Sequence, residues 1–115
     1  LYRSNAVGLV GKENVVELGH RTGSTDMGDV SQIMPVIHPY VAASTGSSHG
    51  TDYLIEDYAL AVEDSAKAMA MTVVDLLVND ARRASEVKNQ YRAPMTKEGY
   101  LSILRGLFSK KTYTE

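Results

Sequence analysis

From Ile55 to Leu77 apolar residues return at helical spacing for about six turns. The series is Ile55, Tyr58, Ala59, Val62, Ala66, Met69, Ala70, Val73 and Leu77, and Glu56, Glu63, Asp64, Lys67 and Asp75 fall on the opposite face. The spacing predicts a helix near 53–79 with this stripe buried, Ala59, Ala66 and Ala70 being small enough to pack closely on a sheet or another helix. Asp52 can cap its N-terminus, and Glu56 and Asp57 sit where the helix dipole favours anions. A second helix is predicted near 81–92, with Val87 and Tyr91 one turn apart, and Pro94 ends it. Thr96 caps a third. Gly99 stands where a capping box has its acid, so only a single cap is expected.

Ahead of the long helix, the stretch Thr22 to Asp52 differs from everything around it. It holds two of the three prolines, four of the nine glycines and two of the three histidines. Such a segment between plain helices is where functional groups sit. Residues 2–18 before it read as a helix, weakened near Gly11 and closed by Gly19. Within the stretch, Thr25 or Asp26 could cap a short helical turn that ends before Pro35, with a strand from Val30 as the competing reading. Val36 to Ala43 reads as a strand, at an edge or bulged at Pro39, which cannot donate to a ladder. Ser44 to Thr51 is loop by composition. The fold class expected is α/β in a single segment, with one or two strands and flanking helices.

Composition narrows the functions. With 115 residues the chain fits one domain. A formal net charge of -2 without a basic block argues against nucleic acid as a partner. No run is long and apolar enough to span a membrane. The absence of cysteine excludes disulfides, thiol nucleophiles and cysteine zinc sites, and fits a cytoplasmic protein.

Several residues could carry chemistry, each with a plainer alternative. His49 stands in a loop just ahead of a helix, exposed enough to bind a metal or move a proton, or simply to be solvated. His38 lies inside an apolar run, where a backbone-bonded histidine is the plainer reading. His20 follows a helix-ending glycine and can answer the helix dipole. Asp26 and Asp29 would share a face on a helical turn, as acid/base or metal pairs do, although Asp in such turns usually caps amides. Their spacing is not that of an EF-hand. Gly23, Ser24 and Thr25 could offer amides to an anion, but no dinucleotide or P-loop pattern is present. Ser24 and Ser31 lack a nucleophile-elbow setting. No complete catalytic constellation emerges from the residues alone.

The run GSTDMGDVSQIMPVIHPYVA, followed by SSHGTDY, resembles the C-terminal part of the catalytic domain in one enzyme family. This is the dinuclear-zinc amidohydrolase and metallopeptidase family of aminoacylases, aminobenzoyl-glutamate, hippurate and auxin-conjugate hydrolases. The match is carried by Gly23 to Asp26, Gly28 to Ser31, and Pro35, His38, Pro39 and Tyr40. His49-Gly50-Thr51-Asp52-Tyr53 departs from the family's His-Thr-Pro-Glu-Phe type of run. The resemblance covers about residues 2 to 80.

The resemblance implies a metal ligand at His49 and substrate-pocket roles for Gly23, Ser24 and Asp26, with His38 beside the pocket. It implies two zinc ions in the whole enzyme, with manganese or cobalt as substitutes, and a homo-oligomer. The implied reaction is amide hydrolysis of an N-acyl amino acid, dipeptide or aminobenzoyl-glutamate-like substrate by metal-activated water. The family's general base, remaining ligands and lid domain have no counterpart here, so no catalytic residue is assigned. The expectation is a C-terminal segment of such an enzyme, inactive alone. Exposed apolar faces on its first helix and strand would make it self-associate. The rival is a stand-alone binding or assembly module.

Overall fold

Helix α1 (Tyr2–Val10) stops at Gly11, whose φ of 86° ends the helical path; a 3-10 turn, Lys12–Asn14, follows. This is the break expected near Gly11, and Gly19 closes no helix. The computed structural model describes residues 1–19 and 23–113, so the reading of His20 lies outside the described residues. The chain divides into two compact units, Leu1–Arg21 with Pro39–Glu86 and Thr22–His38 with Val87–Glu115.

In the first unit the sheet is minimal. Strands β1 (Ser44–Thr45) and β2 (Leu54–Ile55) pair antiparallel, with Ser44 opposite Ile55 and Thr45 opposite Leu54. The Ala43 carbonyl extends the pairing, accepting from the amides of Glu56 at 2.9 Å and Asp57 at 3.2 Å. Val36 to Ala43 does not form the expected strand. Pro35 and Pro39 have no N–H to give a ladder, and pairing starts only beyond them.

A π-helical turn, Ala59–Asp64, leads into helix α3 (Ser65–Gln90). The cap is Asp57, whose Oδ1 accepts from the Leu60 amide at 2.9 Å, and not Asp52. Inside α3 the path breaks at Val78, with ψ of 156°, and at Asn79, Asp80 and Ala81, all left-handed with φ of 54–56°. Two rods result, 65–77 and 82–90, where spacing predicts helices near 53–79 and 81–92; the first starts later than expected, because Leu54–Ile55 pairs as strand and Ala59–Asp64 is a π-helical turn. A left-handed non-glycine residue costs about 1–2 kcal/mol. Ala81→Gly is therefore expected to stabilise the chain by about 1 kcal/mol in a urea melt. In a continuous helix the same change destabilises by about 1 kcal/mol, so the sign tests the break.

The stripe expected to be buried is exposed. Helix α1 covers a different side of α3, through Asn5: its Nδ2 donates to Thr72 Oγ1 at 3.2 Å and Asp75 Oδ2 at 2.8 Å. Thr72 in turn donates to the Ala68 carbonyl at 2.7 Å. Ala68 and Thr72 are buried, whereas Val62, Met69, Val73 and Leu77 are not. The physical reason is the lack of a broad apolar layer: α1 has nine residues and meets α3 through an amide, and each strand has two residues. Ala43 and Ala68 are the buried apolar side chains among the described residues.

The second unit holds helix α2 (Met27–Val30), the end of α3 and helix α4 (Lys97–Leu107). Tyr91 Oη donates to the Ser31 carbonyl at 2.6 Å, and the Met95 amide to the Gln32 carbonyl at 3.2 Å. Thr96 caps α4 as expected, Oγ1 accepting from the Gly99 amide at 3.1 Å. Thr96→Ala is expected to cost about 1 kcal/mol, read as a lower urea midpoint. No helix among the described residues is long and apolar enough to cross a membrane.

Candidate functional site

His49 is placed by the β1–β2 connection. Gly46, with φ of 81°, turns the chain out of β1, and a Cβ there would run into the Asp52 carbonyl. The loop then folds on itself. The Ser47 amide donates to Asp52 Oδ2 at 3.2 Å, and the Gly50 amide to the Ser47 carbonyl at 2.7 Å. Thr45 Oγ1 donates to Glu56 Oε1 at 3.1 Å across the strand ends. His49 sits at the tip with φ of 65°, a left-handed conformation uncommon outside glycine. With Ser48, Gly50 and Tyr53 it lines a surface depression of about 380 Å³. The imidazole is exposed. A strained, outward histidine at a pinned loop tip can offer a nitrogen to a ligand.

The remaining candidates lie in the other unit. Gly23 and Ser24 are exposed and outside regular structure. Asp26 begins the α2 turn: its backbone carbonyl accepts from the amides of Asp29 at 3.1 Å and Val30 at 3.3 Å, while its carboxylate makes no capping bond. Thr25 Oγ1 instead accepts from the Met27 amide at 3.4 Å. Asp26 and Asp29 both act on Tyr100 of α4. Partial desolvation first, then a hydrogen bond to Asp29 and the charges of Asp29 and Asp26, raise the phenol above its usual ionisation range. Tyr100 was not singled out as a site residue from sequence, since it fits the apolar periodicity of α4. His38 is exposed and lies on no strand, contrary to the position expected for it. Gly23, Ser24, Asp26 and His38 therefore belong to one unit and His49 to the other.

The donors do not make a metal centre. Zinc takes four ligands, at least three of them protein groups in most sites. Among the described residues no group of three His, Cys, Asp or Glu side chains stands close enough to hold an ion. Asp52, the carboxylate nearest His49 in sequence, is engaged with the Ser47 amide. His49 thus offers one nitrogen, and the described residues bring no second and third donor to it.

Comparison with known proteins gives one relative to set beside this geometry. The chain is similar to Xaa-Arg dipeptidase of Mus musculus, 31% identical over 86 residues. The similarity covers 70% of this chain and 20% of the mouse protein, so the chain spans about a fifth of that relative's length. No family model matches the chain. No solved structure matches it.

Proposed function

We propose that this chain is the C-terminal segment of a metal-dependent amidohydrolase or dipeptidase, contributing pocket loops and one metal ligand to a larger catalytic domain. The observation that carries the reading is the similarity to a fifth of a dipeptidase. The motif residues Gly23 to Asp26, Gly28 to Ser31, and Pro35, His38, Pro39 and Tyr40 also support it. The substrate class proposed is an N-acyl amino acid, dipeptide or related conjugate. Gly23 and Ser24 would present backbone amides to a substrate carboxylate, with Asp26 shaping the turn and His38 beside it. His49 would be the segment's ligand to zinc, manganese or cobalt.

Because the donor set here is incomplete, the 115 residues alone are proposed to be inactive. The test is hydrolysis by the natural-length protein of a panel of dipeptides and N-acyl amino acids, against the 115-residue chain at the same molarity. Turnover by the former alone supports the reading. Failure of the natural-length protein on every amide, with metal supplied, would leave the assembly-module reading in its place.

A further inference from the structure

The turn that carries the first motif is too short to hold its own shape. Helix α2 has four residues, and Asp26 at its start makes no side-chain capping bond. A single turn is well below the length at which a helix is stable by itself. Ser31 Oγ and Gln32 Nε2 both donate back to the Gly28 carbonyl, at 2.6 and 3.2 Å, which closes the end of the turn but ties it to no other segment.

The ties come from Tyr91, Met95 and Tyr100. Tyr91 follows directly on α3, its amide still donating to the Val87 carbonyl at 3.0 Å. Its hydroxyl donates to the Ser31 carbonyl at 2.6 Å, at the short end for such a bond. Tyr91 and Ser31 are both half-buried, where water competes less for the carbonyl. The Met95 amide donates to the next carbonyl, that of Gln32, at 3.2 Å. Tyr100, on α4, bonds the Asp29 carboxylate. The turn is thus held at Asp29, Ser31 and Gln32. Backbone bonds carry that hold towards the start of the motif: the Ser31 amide donates to Met27 at 2.9 Å, Val30 to Asp26 at 3.3 Å and Gly28 to Thr25 at 2.9 Å. Thr25 is the neighbour of Ser24.

We propose that Tyr91 is a positioning residue for substrate: its hydroxyl, through the Ser31 carbonyl, fixes the turn from which Gly23 and Ser24 present amides to the substrate carboxylate. The proposal rests on the hydrolase reading and adds to it a residue outside the motifs. The proton of the hydroxyl is engaged by a backbone carbonyl, so Tyr91 acts through the turn and not on the scissile bond. A binding group displaced by a fraction of an ångström loses affinity without any change in the reacting groups.

The test uses the natural-length protein carrying Tyr91→Phe, which removes the hydroxyl and keeps the ring. KM for the best dipeptide or N-acyl amino acid is expected to rise about five- to tenfold, the scale of one lost hydrogen bond. The value of kcat is expected to stay within about twofold, with metal content unchanged. Amide hydrogen exchange over residues 26–32 is expected to quicken while that of α3 stays native. Tyr113→Phe, at a tyrosine 86% exposed, is expected to change none of these. Native exchange over 26–32 in Tyr91→Phe overturns the proposal, because the hydroxyl then does not hold the turn. Quickened exchange with a native KM overturns it too, and so does a fall in kcat at native KM. Each of these leaves the hydrolase reading standing. A native protein that hydrolyses none of the amides overturns that reading, and this proposal with it.

Discussion

Replacing His49 with alanine in the natural-length protein is expected to lower hydrolysis of its best dipeptide or N-acyl amino acid by about a hundredfold or more. The β1–β2 connection holds His49 at its tip, exposed and in a left-handed conformation that a flexible loop would not maintain without cause. Losing even a residue that only orients a ligand costs about 10–100-fold in metal affinity or activity, and losing the ligand itself costs more. Metal content should fall with activity. His38→Ala, by contrast, is expected to keep the metal, because His38 is proposed to stand beside the substrate. Full metal occupancy and normal turnover in His49→Ala would remove His49 from the site.

Gly46→Ala should be the most damaging single change to the chain's local structure. Alanine at a φ of 81° costs about 1 kcal/mol. The added methyl also meets the Asp52 carbonyl, which is backbone and cannot swing aside like a side chain. Overpacking of this kind costs about 1–3 kcal/mol. Together they destabilise the hairpin by about 2–4 kcal/mol, read from urea denaturation. The Ser47–Asp52 hydrogen bond that closes the loop under His49 is strained at the same time. Gly23→Ala is the control, since a Cβ there meets nothing within 4 Å and stability should stay within about 0.5 kcal/mol. Equal effects of the two substitutions would mean that Gly46 does not pin the loop.

The elements legible in the sequence are those with local causes. Thr96 caps α4 because its hydroxyl reaches the Gly99 amide three residues on. The break at Gly11 follows from glycine's freedom at positive φ. What the sequence did not show depends on partners distant along the chain. Periodicity marks one side of α3 as apolar, but which side is covered was decided by Asn5, some 70 residues away, binding Thr72 and Asp75. The apolar run before Ala43 reads as a strand by composition, yet it forms no ladder here, and Pro39 within it has no N–H to give one. The link between Asp29 and Tyr100 joins two segments that local spacing cannot relate. For the candidate site, the motifs named its residues. Their division between two units has no local signature.

The measurement that bears most directly on the hydrolase reading is the intact mass of the protein as its source cell makes it. The account predicts a mass several times the 12.5 kDa of this chain, with these residues near its C-terminal end and the remaining metal ligands upstream. A mass equal to that of the 115 residues would contradict it, leaving one histidine with no metal centre to join.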